Sequence, residues 1–396
     1  MSDITPRTPD GPPAYVIGGG PAGLATAAVL GAYGVPAVVV ERSHAVAASW
    51  RRHYDRLTLH TTRRLSALPG SPIPRSAGRW PGRDAMVGYL EQYAHEHRLE
   101  IATGVEVSRI DRAPEGAGWI LRATGGREPR THTVVVATGL NHTPFVPDWP
   151  GRDGFRGELL HAGHYRCADP YRGRDVLVVG AGNTGTDIAL DLAEGGAARV
   201  RLAVRSVPHI VRRSVLGIPA QSGGILARRL PRRAVDRAAR GLARLCLPDL
   251  APYGLPQPET GLSALLGTGA IPVQDTGIVR AVGRGRVEPV AAVEAFDGDK
   301  VRLADGTAIA PDTVIAATGY RRGLEDLVGH LGVLDERGRP PLPGRRARPA
   351  APGLYFTGYA NPVSGMLREI AAESHRIAKA ITRDRVRAAS AAAAAR

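Results

Sequence analysis

Two stretches share one plan: YVIGGGPAGLATAAVL at Tyr15–Leu30 and DVLVVGAGNTGTDIALDL at Asp175–Leu192. Each opens as a short β-branched run, passes through Gly-x-Gly-x-x-Gly, and continues in apolar helix formers. The glycines are Gly18, Gly20 and Gly23 in the first stretch and Gly180, Gly182 and Gly185 in the second. At this spacing the first glycine allows a tight turn and the second lets backbone approach a pyrophosphate. The third lets helix pack on strand, and the helix N-terminus faces the negative charge. The pattern alone is weak, but here each copy follows a strand and opens a helix. The sequence therefore predicts two dinucleotide-binding βαβ units, Tyr15–Arg42 and Asp175–Ser206.

The end of the next strand separates their preferences. Glu41 lies 18 residues beyond Gly23, where a carboxylate accepts hydrogen bonds from ribose hydroxyls and repels a 2′-phosphate. Arg205 lies 20 residues beyond Gly185 and is followed by Ser206, a guanidinium and a hydroxyl suited to a 2′-phosphate. The first site thus suits the adenosine half of FAD and the second suits NADPH. Two such molecules in one chain imply hydride delivery from nicotinamide to flavin.

The remaining elements follow from periodicity and punctuation. Asp84 reads as the N-cap of a helix over AMVGYLEQYAHEH, with Met86, Leu90 and Tyr93 on one face. THTVVVATGL (Thr131–Leu140) reads as a buried strand, and the proline-rich NHTPFVPDWPG after it as a linker. RRAVDRAARGLARLCL reads as a helix inside the poorly patterned stretch Pro208–Pro272. VRLADGTAIAPDTVIAATGY reads as a hairpin with an Asp-Gly turn and then a buried strand. Met366, Ile370, Ile377 and Ile381 keep helical spacing in a last amphipathic helix. The two Ala-Thr-Gly endings, at 137–139 and 317–319, flank the second glycine motif. The fold class is therefore α/β, two Rossmann-like units with the NADPH unit inserted in the FAD unit. The expected boundaries are 14–166 and 314–385 for the FAD domain and 172–312 for the NADPH domain, with disordered tails at 1–13 and 386–396.

Composition narrows the function classes. The formal charge is +15, carried almost wholly by arginine, with only Lys300 and Lys379 as lysines. No long block of like charge and no interleaved aromatics accompany it, so nucleic acid is not an expected partner. Cys167 and Cys246 are the only cysteines and form no CxxC or metal-ligand spacing, so no metal site is expected. No run approaches the roughly 20 apolar residues of a membrane span. The start of the sequence lacks the apolar run of a secretory signal, which makes a cytoplasmic protein the expectation.

Between the two glycine motifs lies FRGELLHAGHYR. Its Phe155-x-Gly157-x-x-x-His161-x-x-x-Tyr165 resembles the FxGxxxHxxx(Y/W) fingerprint of class B flavin-containing monooxygenases. The segments SWRRHYDRLTLHTTRRLSALPGSPIP, VRSVPHIVRR, DTVIAATGY and GLYFTGY resemble the YUCCA-type branch in the expected order, from about Tyr15 to Ile381. Tyr165 stands where Baeyer–Villiger members usually carry tryptophan, and Ala48-Ser49-Trp50 replaces the commoner Gly-Gly-x-Trp. The resemblance implies an NADPH- and FAD-dependent monooxygenase. It would insert one oxygen atom of O2 into a small organic substrate through a C4a-(hydro)peroxyflavin, by oxidative decarboxylation of a 2-oxo acid or by N- or S-oxygenation.

By matching position, Gly18, Gly20, Pro21, Ala22, Gly23, Glu41, Arg42, Trp50, Val107, Ala137 and Gly358 would hold FAD. Gly180, Gly182, Asn183, Thr184, Gly185, Arg205 and Ser206 would hold NADPH. His60 is the candidate catalytic residue, His161 is expected to be structural, and Gln274 and Asp275 are candidates for the substrate pocket. The alternative reading is a flavoprotein reductase resembling ferredoxin or thioredoxin reductases, without oxygen transfer. Such proteins lack the Phe155–Tyr165 segment.

Overall fold

A computed structural model describes residues 12–114, 118–227, 230–341 and 349–394. In chain order, β1 (Ala14–Ile17), α1 (Pro21–Ala32), β2 (Ala37–Glu41), α2 (Arg83–Glu96), β3 (Glu100–Thr103) and β4 (Val134–Val136) begin the first unit. The second unit comprises β5 (Glu158–His161), β6 (Asp175–Val179), α3 (Asn183–Glu194), β7 (Arg199–Val204), α4 (Ala220–Ala227), α5 (Arg232–Cys246), β8 (Glu288–Ala291) and β9 (Thr313–Ala316). The chain then returns to the first unit with β10 (Leu354–Phe356) and α6 (Met366–Ala394).

Each unit is built on a five-stranded parallel sheet, in the orders β10-β4-β1-β2-β3 and β8-β7-β6-β9-β5. Parallel strands covered on both faces are apolar at nearly every position. Val16 registers with Val39 and Val135, and Val178 with Leu202 and Ile315. Helix α1 is buried along almost its whole length because it lies between the first sheet and α6. Leu24, Leu30, Ile377 and Ile381 meet in the resulting core.

The expected domain boundaries need correction. Strand β9, assigned to the FAD unit, pairs with β6, and β5 pairs with β9, so both belong to the inserted sheet. The chain crosses between the units where Pro144 and Thr143 pair antiparallel with Tyr320 and Arg321. The reason is internal duplication. In each unit a strand ending in Ala-Thr-Gly lies beside the strand that carries the glycine motif, β4 beside β1 and β9 beside β6. The second Ala-Thr-Gly therefore belongs to its own unit.

Two smaller expectations also change. Asp84 is not an N-cap. Helix α2 starts at Arg83 with Gly82 at the cap, and the Asp84 carboxylate instead pairs with Arg83 at 2.8 Å. Met86, Leu90 and Tyr93 are buried as their spacing implied. The C-terminal tail is not disordered over 386–394, because α6 runs to Ala394; alanine is the strongest helix former, and an alanine-rich end extends a helix already nucleated by packing. Residues 1–11 and 395–396 of the expected tails lie outside the described residues. The stretch Pro208–Pro272 resolves into Ile210–Arg212 paired parallel with Val273–Asp275, a hairpin over Ser214–Pro219, α4, α5 and a short helix at Leu262–Gly267. No helix among the described residues is long and apolar enough to cross a membrane.

Candidate functional site

The two glycine turns superpose in their local logic. Gly18 and Gly180 adopt φ of +115° and +114°, a region that L side chains rarely enter. A Cβ on Gly18 would lie 2.5 Å from the Ala137 carbonyl oxygen, and one on Gly180 2.5 Å from that of Ala317. Gly23 and Gly185 sit where helix presses on strand: a Cβ would lie 1.8 Å from the Gly18 and Gly180 carbonyl oxygens respectively. Gly20 and Gly182, by contrast, have open space at the Cβ position and stand at the N-caps of α1 and α3. Space left there at a helix N-terminus fits a bound pyrophosphate.

From the first turn a cavity of about 360 Å³ runs along the C-terminal edge of the first sheet, within the usual range of ligand pockets. It is lined by Gly18, Gly20, Pro21, Ala22, Glu41, Arg42, Trp50, Val107, Ala137 and Gly358, ten of the eleven residues expected around FAD. The exception, Gly23, lies beneath the turn. Glu41 is buried, and its two carboxylate oxygens accept from Gly19 N at 2.6 Å and Ser43 N at 2.8 Å, so the turn and the acid are locked together. A carboxylate has about four acceptor positions, which leaves room for ribose hydroxyls. The Gly358 turn is held by buried Glu373 of α6, which accepts from Gly358 N at 2.9 Å and Thr357 Oγ1 at 3.0 Å. Gly365 and Met366, at the start of α6, also line the cavity, so that helix directs its N-terminus there.

The second cradle does not line this cavity itself; it shapes one wall. Asn183, at the start of α3, donates from Nδ2 to the Pro272 carbonyl at 3.2 Å and accepts from Gln274 N at 2.8 Å. Ile271, Pro272 and Gln274 close the cavity from the second unit. The Asn183 amide is thus committed to this loop. Arg205 and Ser206 follow β7 on the exposed surface, and among the described residues Arg205 forms no ion pair.

His60 lies in the cavity wall on the Thr58–Thr62 segment. This segment is fastened by Leu59 N to the Pro81 carbonyl at 2.8 Å, and by Thr62 N to the Gln221 side chain at 3.1 Å. Arg213 also grips it, bonding Thr58 Oγ1 at 2.9 Å and the Leu59 carbonyl while stacking on Trp80 at 4.3 Å. Burial pushes the Arg213 guanidinium down to about 10.

The sequence reading missed what stands behind His60. Asp187, a buried carboxylate on α3 of the other unit, lies 3.4 Å from His60 Nε2. It also accepts from Tyr54 OH at 3.0 Å and from Thr276 Oγ1 at 2.8 Å. Burial and then the Asp187 charge push the Tyr54 phenol far upward, so it remains a donor. His60 Nδ1 and Gln274 Oε1 are buried without hydrogen-bond partners, and both residues line the cavity. Buried polar atoms are almost always paired, so these two stand out among the residues of the wall. The sequence offers little signal: Asp187 follows the polar Asn183-Thr184-Gly185-Thr186 start of α3, and Asp191 and Glu194 follow on the same helix.

His161 is structural, as expected. Its Nδ1 accepts from Gly163 N at 3.0 Å, its Nε2 meets the Gly319 carbonyl at 2.9 Å, and its ring packs edge-on against Tyr320. Tyr165 is fully buried and donates to Asp191 at 2.7 Å, and Phe155 packs against Phe296. The Phe155–Tyr165 segment is therefore packing and alignment, not cavity wall. Asp275 lies beside Gln274 but outside the wall; its carboxylate caps Gly277 N at 2.9 Å. Among the described residues no group of three or more His, Cys, Asp or Glu side chains is placed to hold a metal ion.

His53, in the same wall, carries a measurable consequence. Burial, and then Arg166, Arg52 and Arg83, lower its imidazole from 6.5 to about 4. Above pH 6.5 the ring is neutral whether the chain is folded or not. Between 6.5 and about 4 the unfolded chain binds a proton that the folded chain refuses. Stability therefore falls as pH falls through this window, by roughly 3 kcal/mol at its lower end. Urea titrations of the protein at pH 7 and pH 5 are expected to show this loss, and His53→Phe, which keeps an aromatic ring between Trp50 and Tyr54, should diminish it.

Comparison with known proteins adds four findings. Residues 15–214 match the family described as pyridine nucleotide-disulphide oxidoreductase. The chain is 37% identical over 352 residues to "Indole-3-pyruvate monooxygenase YUCCA1" of Oryza sativa subsp. japonica, covering 88% of this chain and 86% of that protein. It is 37% identical over 354 residues to "Probable indole-3-pyruvate monooxygenase YUCCA9" of Arabidopsis thaliana, covering 87% and 83%. Among solved structures, a flavin-containing monooxygenase from Stenotrophomonas maltophilia aligns with a TM-score of 0.69 at 24% identity, over 93% of this chain and 98% of that one. The structural likeness speaks for the fold; the sequence likeness, at this identity and coverage, speaks for the family.

Proposed function

Since the chain belongs to the class B flavin-containing monooxygenases, in their YUCCA-type branch, we propose that its cavity carries out the oxidative decarboxylation of an aryl 2-oxo acid. The protein is an NADPH- and FAD-dependent monooxygenase. When bound, NADPH supplies hydride to FAD, and reduced FAD with O2 supplies the oxygen atom. The observation that carries the assignment of sites is the join between the cradles. One cavity begins at the Gly18 turn and ends at a wall that Asn183, at the head of the second cradle, holds in place.

In this reading Gly18, Gly20, Pro21, Ala22 and Gly23 cradle the FAD pyrophosphate. Glu41 and Arg42 take the ribose end, and Trp50, Val107, Ala137 and Gly358 line the rest. Gly180, Gly182, Thr184 and Gly185 cradle NADPH, and Arg205 with Ser206 takes its 2′-phosphate. Asn183 positions the wall between the two. Arg52 lines the cavity and, among the described residues, has no carboxylate partner, which suits an anionic substrate. N- or S-oxygenation by the same machinery is the second reading, and an amine panel tests it alongside the aryl 2-oxo acids. The partners are the small molecule and O2, not nucleic acid. We place the activity in the cytoplasm, where the free thiols Cys167 and Cys246 persist.

His60 governs the reacting end. A carboxylate accepts only, so Asp187 favours the tautomer with hydrogen on Nε2 and leaves the buried Nδ1 with a lone pair that has no partner. His60→Ala is expected to raise the share of NADPH oxidation that ends as hydrogen peroxide by several-fold. Asp187→Asn should do the same, because its amide can donate to Nε2 and reverse the tautomer. The double variant should leak no more than the worse single one, since both act through one ring. Peroxide release per NADPH consumed, with an aryl pyruvate present, is the measurement. Unchanged coupling in both variants would reduce His60 to a packing residue.

A further inference from the structure

Seven of the eight strongly exposed large apolar side chains among the described residues fall between Leu216 and Tyr253, inside the inserted unit. The most exposed, Leu216 at 96%, stands at the tip of the Ser214–Pro219 hairpin. Leu216 and Gly217 form its two-residue turn with φ of 48° and 77°. That turn geometry favours asparagine and glycine, so a leucine there is strained as well as fully solvated. Folding gains nothing from either. The hairpin is nonetheless held firmly, because Arg79 grips the Gly217 carbonyl and Gln221 just beyond is fully buried, bonded to Thr62 and Ser364. Leu216 is thus presented on a fixed support.

The helix α5 repeats the theme. Val235 is buried, while Leu242, on the same face, and Leu245 are 48% and 86% exposed toward the C-terminal end of the helix. Arg233, Arg237 and Arg240 recur at helical spacing on the opposite face, all exposed. Its one acid, Asp236, is occupied by Ser263 through N and Oγ, both at 2.7 Å. Arg212, on the strand leading into the hairpin, holds the Cys246 carbonyl at 2.5 Å, which seats the end of α5 beside the hairpin's base. Residues 208–272 contain nine arginines against three acids, Asp236, Asp249 and Glu259.

We infer that the Leu216 hairpin with the C-terminal half of α5 docks peripherally on an anionic lipid surface. A helix with exposed leucines on one face and a stripe of exposed arginines on the other has the pattern of a helix lying in a bilayer interface. The arginines meet the headgroups and the leucines enter the acyl boundary. A second copy of the chain fits this face poorly, because each copy carries +15 and brings the same arginines.

The test is co-sedimentation of the full-length, flavin-loaded protein with phosphatidylcholine vesicles with and without phosphatidylglycerol. Pelleting only with the anionic vesicles, weakened by salt, is expected. Leu216→Ser combined with Leu245→Ser should lower the bound fraction at least tenfold, and Arg237→Glu with Arg240→Glu should do likewise. NADPH oxidation in vesicle-free solution should stay at the wild-type rate for both pairs. Three results overturn the inference: no pelleting with anionic vesicles, full retention by the leucine pair, or wild-type protein sedimenting as a dimer that the leucine pair dissolves.

Discussion

Gly23→Ala is expected to yield a chain that folds poorly and is purified without flavin. The added Cβ would sit 1.8 Å from the Gly18 carbonyl oxygen and 3.5 Å from Val16 Cγ1. Neither can retreat: Gly18 is already at positive φ with its own back against Ala137, and Val16 is in the middle of the sheet. Helix α1 must therefore lift from β1, at a cost of roughly 2–3 kcal/mol or more. Lifting also withdraws the helix N-terminus from the pyrophosphate. Gly20→Ala is the control, since its Cβ meets nothing within 4 Å and its φ is ordinary. If a pyrophosphate approaches the backbone there, Gly20→Ala should lower flavin content while the flavin-free chain unfolds at the wild-type temperature. Gly185→Ala, with the same 1.8 Å conflict in the second cradle, should also lower the unfolding temperature, and what folds should hold flavin that NADPH no longer reduces. Flavin-to-protein absorbance ratios and thermal unfolding check all three.

Arg205→Ala is expected to raise the KM for NADPH by roughly 10- to 100-fold, the range for losing charge-assisted hydrogen bonds worth about 1.5–3 kcal/mol. The KM for NADH should stay within about twofold, because the guanidinium has no partner in that coenzyme. Arg205 is exposed and, among the described residues, unpaired, so its removal costs the fold little. Anaerobic flavin reduction followed against each coenzyme separates binding from later oxygen chemistry. Equal loss with both coenzymes would mean that Arg205 serves the common part of the molecule.

The glycine turns were legible in the sequence because Gly18, Gly23, Gly180 and Gly185 each meet a steric requirement that no other residue meets. Ala137 could be placed only through the family resemblance, and its carbonyl proves to back Gly18; Glu41 could be placed because it ends the next strand. The domain boundaries were less legible. The second Ala-Thr-Gly run belongs to the inserted unit, and only strand pairing, not local pattern, decides which sheet a buried strand enters. The partner of His60 was hidden for a related reason. Asp187 is 127 positions further along the chain and comes from the other unit, so no spacing rule connects the two. Asn183 carries a second role that the motif did not reveal. Its position in the motif suggested coenzyme contact, and its amide also bonds Pro272 and Gln274. Side-chain hydrogen bonds between units depend on how the units dock, which periodicity does not encode.

The measurement that bears most directly on the whole account is product analysis with isotopically labelled O2. Flavin-loaded protein is given NADPH and an aryl pyruvate, with the amine panel in parallel. The account predicts one labelled oxygen atom in the shortened acid and one carbon dioxide released per NADPH oxidised. Consumption of NADPH that yields only hydrogen peroxide with every oxo acid and every amine would contradict it.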